Sequence, residues 1–332
     1  MKNKTVRFGV IGTNFISDWV ITGAMQDPRF KLAAVCSRKL ETAQAFAAKY
    51  GAEHCFTSIE EMVTGDVVDA VYIASPNALH ASQAILCMNH GKHVLCEKAF
   101  ASNVREVDAM IDAAKLNGVA LMEAMKTTLT PNFLAIRDNL NRIGTVRRYF
   151  ASYCQYSSRY DKYKEGVVLN AFNPAYSNGA LVDIGVYTIY PMVVLFGMPD
   201  SIVANGLLLD SGVDGQGSIV FKYESMDAVV MYSKIADSYL PMEIQGEDGS
   251  IESFKTNIIS NVRLKVRKGE ECMLDVSDMK DEYYYEVADF INTISEGKQE
   301  SSVNTWACSR NVVAIMDEVR RQIGVIYPAD QF

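Results

Sequence analysis

Residues 6–17 read VRFGVIGTNFIS: six strand-like residues, a glycine, and a run of helical character starting near Phe15 or Ile16. A tight strand-to-helix turn aims free backbone N–H groups and the positive end of the helix dipole at one point, which suits a pyrophosphate. The full glycine fingerprint of such a turn is G-x-G-x-x-G. Its positions here are Gly12, Asn14 and Ser17, so two of the three glycines are replaced. Asparagine tolerates a left-handed backbone better than most residues, and serine is small enough for close helix packing. Placed at the first strand–helix unit of the chain, the stretch reads as a dinucleotide turn formed by Gly12, Thr13, Asn14, Phe15 and Ile16.

The next hundred or so residues repeat the pattern. Apolar runs end at Ile11, Ser37, Ala74 and Cys96, and each leads into turn residues and then a helical segment. ETAQAFAAKYG (41–51), ALHASQAILCMNHG (78–91) and VREVDAMIDAAKLNG (104–118) all close on glycine, the residue best suited to the left-handed turn that ends a helix. Strands alternating with helices of this length predict βαβ units and a doubly wound parallel sheet over residues 1–124.

The rest of the chain, 125–332, has another rhythm. Strand candidates at 145–156, 201–209, 217–223, 227–234, 242–245 and 262–267 succeed one another with few helices between them. That order predicts an α+β domain with a large, mostly antiparallel open sheet. Helices near 180–195 and 281–295 are expected to cover one face of it, and a last helix, 305–322, to pack back near the N-terminal domain. The boundary falls in EAMKTTLTP (123–131), where Pro131 suits the first turn of a helix.

The end of the second strand chooses the dinucleotide. An acid there holds the ribose 2′-hydroxyl of NAD, whereas an arginine accommodates the 2′-phosphate of NADP. LAAVCSRK (32–39) offers Ser37 and Arg38 and no carboxylate, so NADP(H) is expected, with NAD the alternative. The net charge of −8 without a basic block disfavours nucleic acid as a partner. Seven scattered cysteines without C-x-x-C suit reduced thiols and a cytoplasmic location. The opening MKNKTVRFGVIG lacks the apolar core of a signal peptide, and no run of 18 or so apolar residues predicts a membrane span. His80, Cys87, His90, His93 and Cys96 crowd together, but Gly91 keeps them off one helix face, so no metal is expected.

VLCEKAF (94–100) sets Glu97 and Lys98 directly after a buried strand. Charge is costly to hide, so either the strand runs out into water or its carboxyl end opens on a site at which Lys98 is aimed. Ligands in open α/β sheets lie beyond the carboxyl ends of the strands, which favours the site.

Taken in order, GVIGTNFIS, YIASPNALH (72–80), GKHVLCEKAF (91–100), NGALVDIGVY (178–187) and GEDGSIE (246–252) resemble the Gfo/Idh/MocA family along nearly the whole chain. The nearest branch is that of glucose–fructose oxidoreductase and dimeric dihydrodiol dehydrogenase. The resemblance implies a Rossmann domain, a C-terminal α/β domain with an open antiparallel sheet, a small-molecule substrate, and a homo-oligomer (dimer or tetramer) formed through that sheet. EKA matches the family's Glu-Lys-Pro, which makes Lys98 the active-site lysine and Glu97 its neighbour at the cofactor. SPN matches a loop lining the nucleotide, here Ser75, Pro76 and Asn77, with His80 just beyond. GALVDIGVY matches a helix whose Asp183 and Tyr187 face the substrate. The departures are Ala99 for proline, which is expected to loosen the backbone carrying Lys98, and Lys126 and Thr128, where the branch has an aromatic and an arginine.

Asp183 and Tyr187 stand i, i+4 and so share a helix face. Hydride exchange between an alcohol and a nicotinamide needs a proton acceptor at the hydroxyl. A tyrosine alone, with a reference pKa of about 10, is a poor base, and a lysine cation beside it favours the phenolate. The expected function is therefore an NADP(H)-dependent oxidoreductase of a sugar, polyol or vicinal diol, with Tyr187 as acid–base and Lys98 as its electrostatic partner. The alternative is a non-catalytic dinucleotide- or sugar-sensing regulator on the same fold.

Overall fold

The computed structural model describes residues 5–269 and 271–331. The chain forms two compact units: Met1–Lys126 with Lys280–Ser309, and Thr127–Met279 with Arg310–Phe332.

The first unit is built on six parallel strands: β1 (Val6–Ile11), β2 (Phe30–Cys36), β3 (His54–Phe56), β4 (Ala70–Ile73), β5 (His93–Glu97) and β6 (Leu121–Ala124). Their order, β3-β2-β1-β4-β5-β6, is the doubly wound order the alternation predicts. All of β4 and the Val94–Cys96 core of β5 are buried, as expected of strands covered on both faces. Helices Phe15–Ala24, Leu40–Tyr50, Ile59–Thr64, His80–Asn89 and Val104–Asn117 supply the crossovers. Gly51 and Gly118 end two of them at φ 71° and 64°. Alternation in the sequence does not disclose β3 and β6, whose three and four residues are too short to show a period.

The helix Glu282–Ser295 corrects the expectation. It belongs to the first unit and not to the unit that holds the antiparallel sheet. Its buried face carries Tyr283, Val287, Phe290 and Ile291, and the Phe290 ring lies 6.1 Å from Phe8 of β1. Gly23 makes room for it, since a Cβ there would stand 2.8 Å from that of Tyr283. Amphipathic spacing says that one face is buried, not against which sheet.

The second unit has eight strands: β7 (Val146–Cys154), β8 (Ser201–Leu208), β9 (Asp214–Lys222), β10 (Asp227–Ser233), β11 (Met242–Gly246), β12 (Gly249–Ser253), β13 (Arg263–Val266) and β14 (Glu271–Met273). They lie in the order β14-β13-β12-β11-β7-β10-β9-β8. Neighbours are antiparallel except β7 and β10, which pair in parallel with Cys154 opposite Ser233. Pro131 does open a helix, Pro131–Asn139, capped by the Thr130 hydroxyl. The stretch Pro174–Phe196 is apolar and long enough to cross a bilayer by composition alone, but 72% of its most apolar 18-residue window is buried inside the protein. It is a core element. The final helix, Trp306–Ile323, has its first turn in the first unit, where the Trp306 indole donates to the Leu121 carbonyl (2.9 Å). From Arg310 onward it belongs to the second unit, where the Gln322 side chain hydrogen-bonds Ala204 and Ile202 of edge strand β8.

Candidate active site

The carboxyl ends of β1, β2, β4 and β5 carry the predicted nucleotide residues. Gly12 has φ +98°, and a Cβ on it would stand 2.7 Å from the Ala74 carbonyl oxygen after β4. Only glycine fits this cradle. Asn14 is not left-handed: at φ −89°, ψ −179° it is extended and acts as the cap of helix Phe15–Ala24. Its Oδ1 accepts from the N–H groups of Ile16 (3.0 Å) and Ser17 (3.4 Å), and its Nδ2 donates to Ala74 O (3.1 Å). Ser17 is buried and donates to Gly12 O at 2.9 Å. The two substitutions therefore replace glycine packing with side-chain hydrogen bonds that lock the same turn. Asn14 thereby occupies the Ile16 N–H of the first helical turn. Phe15 is 53% exposed, edge-on to Trp19.

Ser37 and Arg38 come directly after β2, with the Ser37 N–H held by Phe56 O (3.1 Å) and the Arg38 side chain exposed. After β4, Ser75 donates to Gln83 (2.8 Å), and Pro76 leads into the turn Asn77–Leu79. His80 is fully buried: Nδ1 lies 2.9 Å from Ala99 O and Nε2 2.9 Å from Ser75 O. Burial depresses its pKa, and the Lys98 charge acts in the same direction against the two carbonyls. His80 thus lies between the Ser75 loop and the Lys98 segment with a carbonyl facing each ring nitrogen, and the neutral imidazole donates to one of them. Ala99 is 1% exposed and its carbonyl faces His80 Nδ1.

Lys98 leaves β5 above a set of buried acids that no spacing rule announces. Tyr72 donates to Glu97 at 2.6 Å. Glu123 on β6 and Glu286 on the helix Glu282–Ser295 are also buried. Burial pushes all three carboxyls up, Glu123 to about 8, and the Glu97 charge raises Glu286 and Glu123 further. The charges of Lys98 and Lys126 oppose this at Glu97. Lys126 is itself paired with Glu282 and lies 4.2 Å from the Tyr283 ring centre.

In the second unit, the residues Leu181–Gly185 form a π-helical turn that runs into helix Val186–Phe196. Every residue from Ala180 to Val193 is buried except Asp183 and Tyr187. The two predicted polar residues are thus the ones turned out of an apolar helix. The Tyr187 ring meets Tyr153 of β7 edge-on at 5.7 Å, and its carbonyl accepts from Thr256 (3.0 Å). Asp183 pairs with the buried ammonium of Lys234. Asp214, the first residue of β9, is fully buried and accepts the Leu181 N–H at 2.7 Å, holding the start of this helix. Burial pushes its carboxyl up to about 6 against that hydrogen bond. Lys234 and Asp214 escape the sequence reading. For Lys234 the signal exists in MYSK (231–234), a charge directly after a buried strand, as in VLCEK. Among the described residues, no group of three or more His, Cys, Asp or Glu side chains is placed to hold a metal.

A six-stranded parallel sheet with a glycine cradle after β1 defines a dinucleotide-binding protein of the Rossmann class. Residues 6–125 match the model of the oxidoreductase family with an NAD-binding Rossmann fold, and residues 138–252 match the C-terminal domain of the same family. The chain belongs to the Gfo/Idh/MocA family of oxidoreductases. It is 54% identical over 326 residues to scyllo-inositol 2-dehydrogenase (NADP(+)) of Bacillus subtilis, covering 98% of this chain and 99% of that one. Identity to trans-1,2-dihydrobenzene-1,2-diol dehydrogenase of Danio rerio is 31% over 345 residues, 98% and 99% of the two chains. Its fold is shared with a 3-ketoreductase from Actinomadura kijaniata solved with NADP and TDP-benzene: TM-score 0.83, 22% identity, 96% and 98% coverage.

Proposed function

We propose that this oxidoreductase uses NADP(H) to interconvert a secondary alcohol and a ketone on a sugar, polyol or other vicinal diol. The observation that carries the reading is the full-length likeness to an NADP(+)-dependent inositol dehydrogenase. The residues present fit a dinucleotide: the Gly12 cradle admits a close backbone approach, and Thr13 and Asn14 would hold the phosphates. Ser37 and Arg38 would hold the 2′-phosphate. Bound there, the cofactor supplies the hydride acceptor or donor.

The chain's own groups move the proton. Tyr187 as phenolate takes the proton of the substrate hydroxyl, and as phenol returns it to the carbonyl oxygen in the reverse direction. Lys98 favours the phenolate by its charge. Asp183, an acceptor when ionised, orients a neighbouring hydroxyl. The exposed apolar residues Val203 on β8 and Val220 on β9, which pair in register, support a homo-oligomer formed through that sheet.

The test monitors NADP⁺ reduction and NADPH oxidation spectrophotometrically over a panel of inositols, aldoses, ketoses and cyclic diols. Turnover of at least one polyol is expected. Tyr187→Phe should lower kcat by about 10²–10⁴-fold, the usual share of a positioned proton carrier, without changing cofactor affinity, and Lys98→Met should lower kcat as severely. No turnover with any compound, despite tight cofactor binding, would favour the regulator instead. A folded Tyr187→Phe enzyme with near wild-type kcat would remove that tyrosine from the chemistry.

A further inference from the structure

We propose that Lys234 is a specificity-determining residue that, paired with Asp183, reads two adjacent hydroxyls of the substrate. The inference rests on the polyol reading above and adds the residue that enforces it.

Lys234 is placed by the topology. It comes directly after the last residue of β10, and Gln155 directly after the last of β7; these strands form the parallel pair of an otherwise antiparallel sheet. The Gln155 N–H donates to Ser233 O (2.8 Å) and the Ser157 N–H to Lys234 O (2.9 Å), while the Lys234 N–H donates to Gly215 O (2.9 Å). The two chain segments therefore stay paired beyond the carboxyl ends of β10 and β7. The Lys234 backbone is held on both sides, so its side chain is aimed, not loose.

The surroundings of the ammonium limit what it can do. Its side chain is 7% exposed, against 25% for Asp183. The Phe172 ring centre lies 5.9 Å from Nζ and walls one side. An ammonium has three N–H donors and no acceptor; a carboxylate has acceptors and no donor. A lone hydroxyl is served by either group, but the pair together matches two neighbouring hydroxyls, one donating to Asp183 and one accepting from Lys234. Asp183 shares the outward face of its helix with Tyr187, so the pair sits beside the proposed acid–base in the same unit. Sites built to hydrogen-bond a substrate hydroxyl reject analogues that lack it, because the buried partners are left unpaired.

A purely structural ion pair, which would only hold the π-helical turn in place, predicts something else. Its loss would depress turnover of all substrates alike. The experiment compares kcat/KM for scyllo-inositol and for a monodeoxy-inositol lacking a hydroxyl next to the reacting carbon, in wild type, Lys234→Met and Lys234→Arg. Wild type should prefer the full polyol by about 100-fold or more. Lys234→Met should shrink that preference at least about tenfold by losing the polyol rate far more than the deoxy rate, and Lys234→Arg should restore part of it. NADPH affinity should stay near wild type. Should Lys234→Met not fold, Lys234→Gln, which keeps a donor without charge, carries the comparison. An unchanged ratio in a folded variant, with or without a uniform loss of rate, overturns the inference alone. A wild-type enzyme that oxidises no polyol overturns the proposed function and this inference with it.

Discussion

Replacing Asp214 by Asn isolates the cost of hiding a carboxylate under the helix that carries Asp183 and Tyr187. Asp214 is fully buried and accepts the Leu181 N–H at 2.7 Å, and asparagine keeps that acceptor and the shape. Burial raises the folded-state pKa to about 6, from an ordinary value of 3.8. A raised folded pKa means that the protonated form is the better fit. Its stability contribution is complete below the unfolded pKa and is lost as pH climbs through the folded one. At about 1.4 kcal/mol per pH unit, the loss across this window is on the order of 3 kcal/mol. The variant has no such loss, and every other titrating group cancels in the difference. Urea unfolding of both proteins from about pH 4.5 to 7.5 should therefore show Asp214→Asn gaining on wild type by roughly 2 kcal/mol, nearly all of it below pH 6.5. A difference that stays constant over this range would refute the raised pKa. A difference that moves the opposite way would mean that the helix-end N–H groups outweigh burial and that Asp214 is an ionised, stabilising cap.

Two further outcomes test the nucleotide turn. Gly12→Ala forces an alanine to φ +98° and places its Cβ 2.7 Å from the Ala74 carbonyl oxygen; the turn should lose about 2 kcal/mol or more. Calorimetry should find NADPH binding at least tenfold weaker, and a variant with wild-type affinity and thermal midpoint would show that the cradle is not needed. Arg38→Ala should abolish most of any NADPH-over-NADH preference, since a charge-assisted contact is worth about 1.5–3 kcal/mol, or roughly ten- to a hundredfold in affinity. NADH binding should hardly change, and equal affinities for the two cofactors in wild type would dismiss the role given to Ser37 and Arg38.

Much of this protein is local, and local order is what a sequence can declare. The strand–glycine–helix turn at 6–17, the helix-ending glycines Gly51 and Gly118, and Pro131 at the first turn of its helix all act through the backbone within a few residues. Asp183 and Tyr187 can be paired from the sequence because helical spacing alone sets them on one face. Even in the turn, the left-handed tolerance of asparagine is not what Asn14 supplies: its side chain caps the helix from an extended backbone. Tertiary structure decided the rest. The sheet that helix Glu282–Ser295 covers depends on where the chain returns, which no periodicity encodes. His80 reads as a nucleotide contact in the sequence, yet its two ring nitrogens lie on the carbonyls of Ser75 and Ala99. Lys234 reaches Asp183 across 51 residues, Asp214 reaches Leu181 across 33, and Glu97, Glu123 and Glu286 gather behind Lys98 from two strands and a distant helix. Burial and charge pairing are properties of neighbours brought together by folding, so the ionisation of these groups has no counterpart in the linear order of the chain.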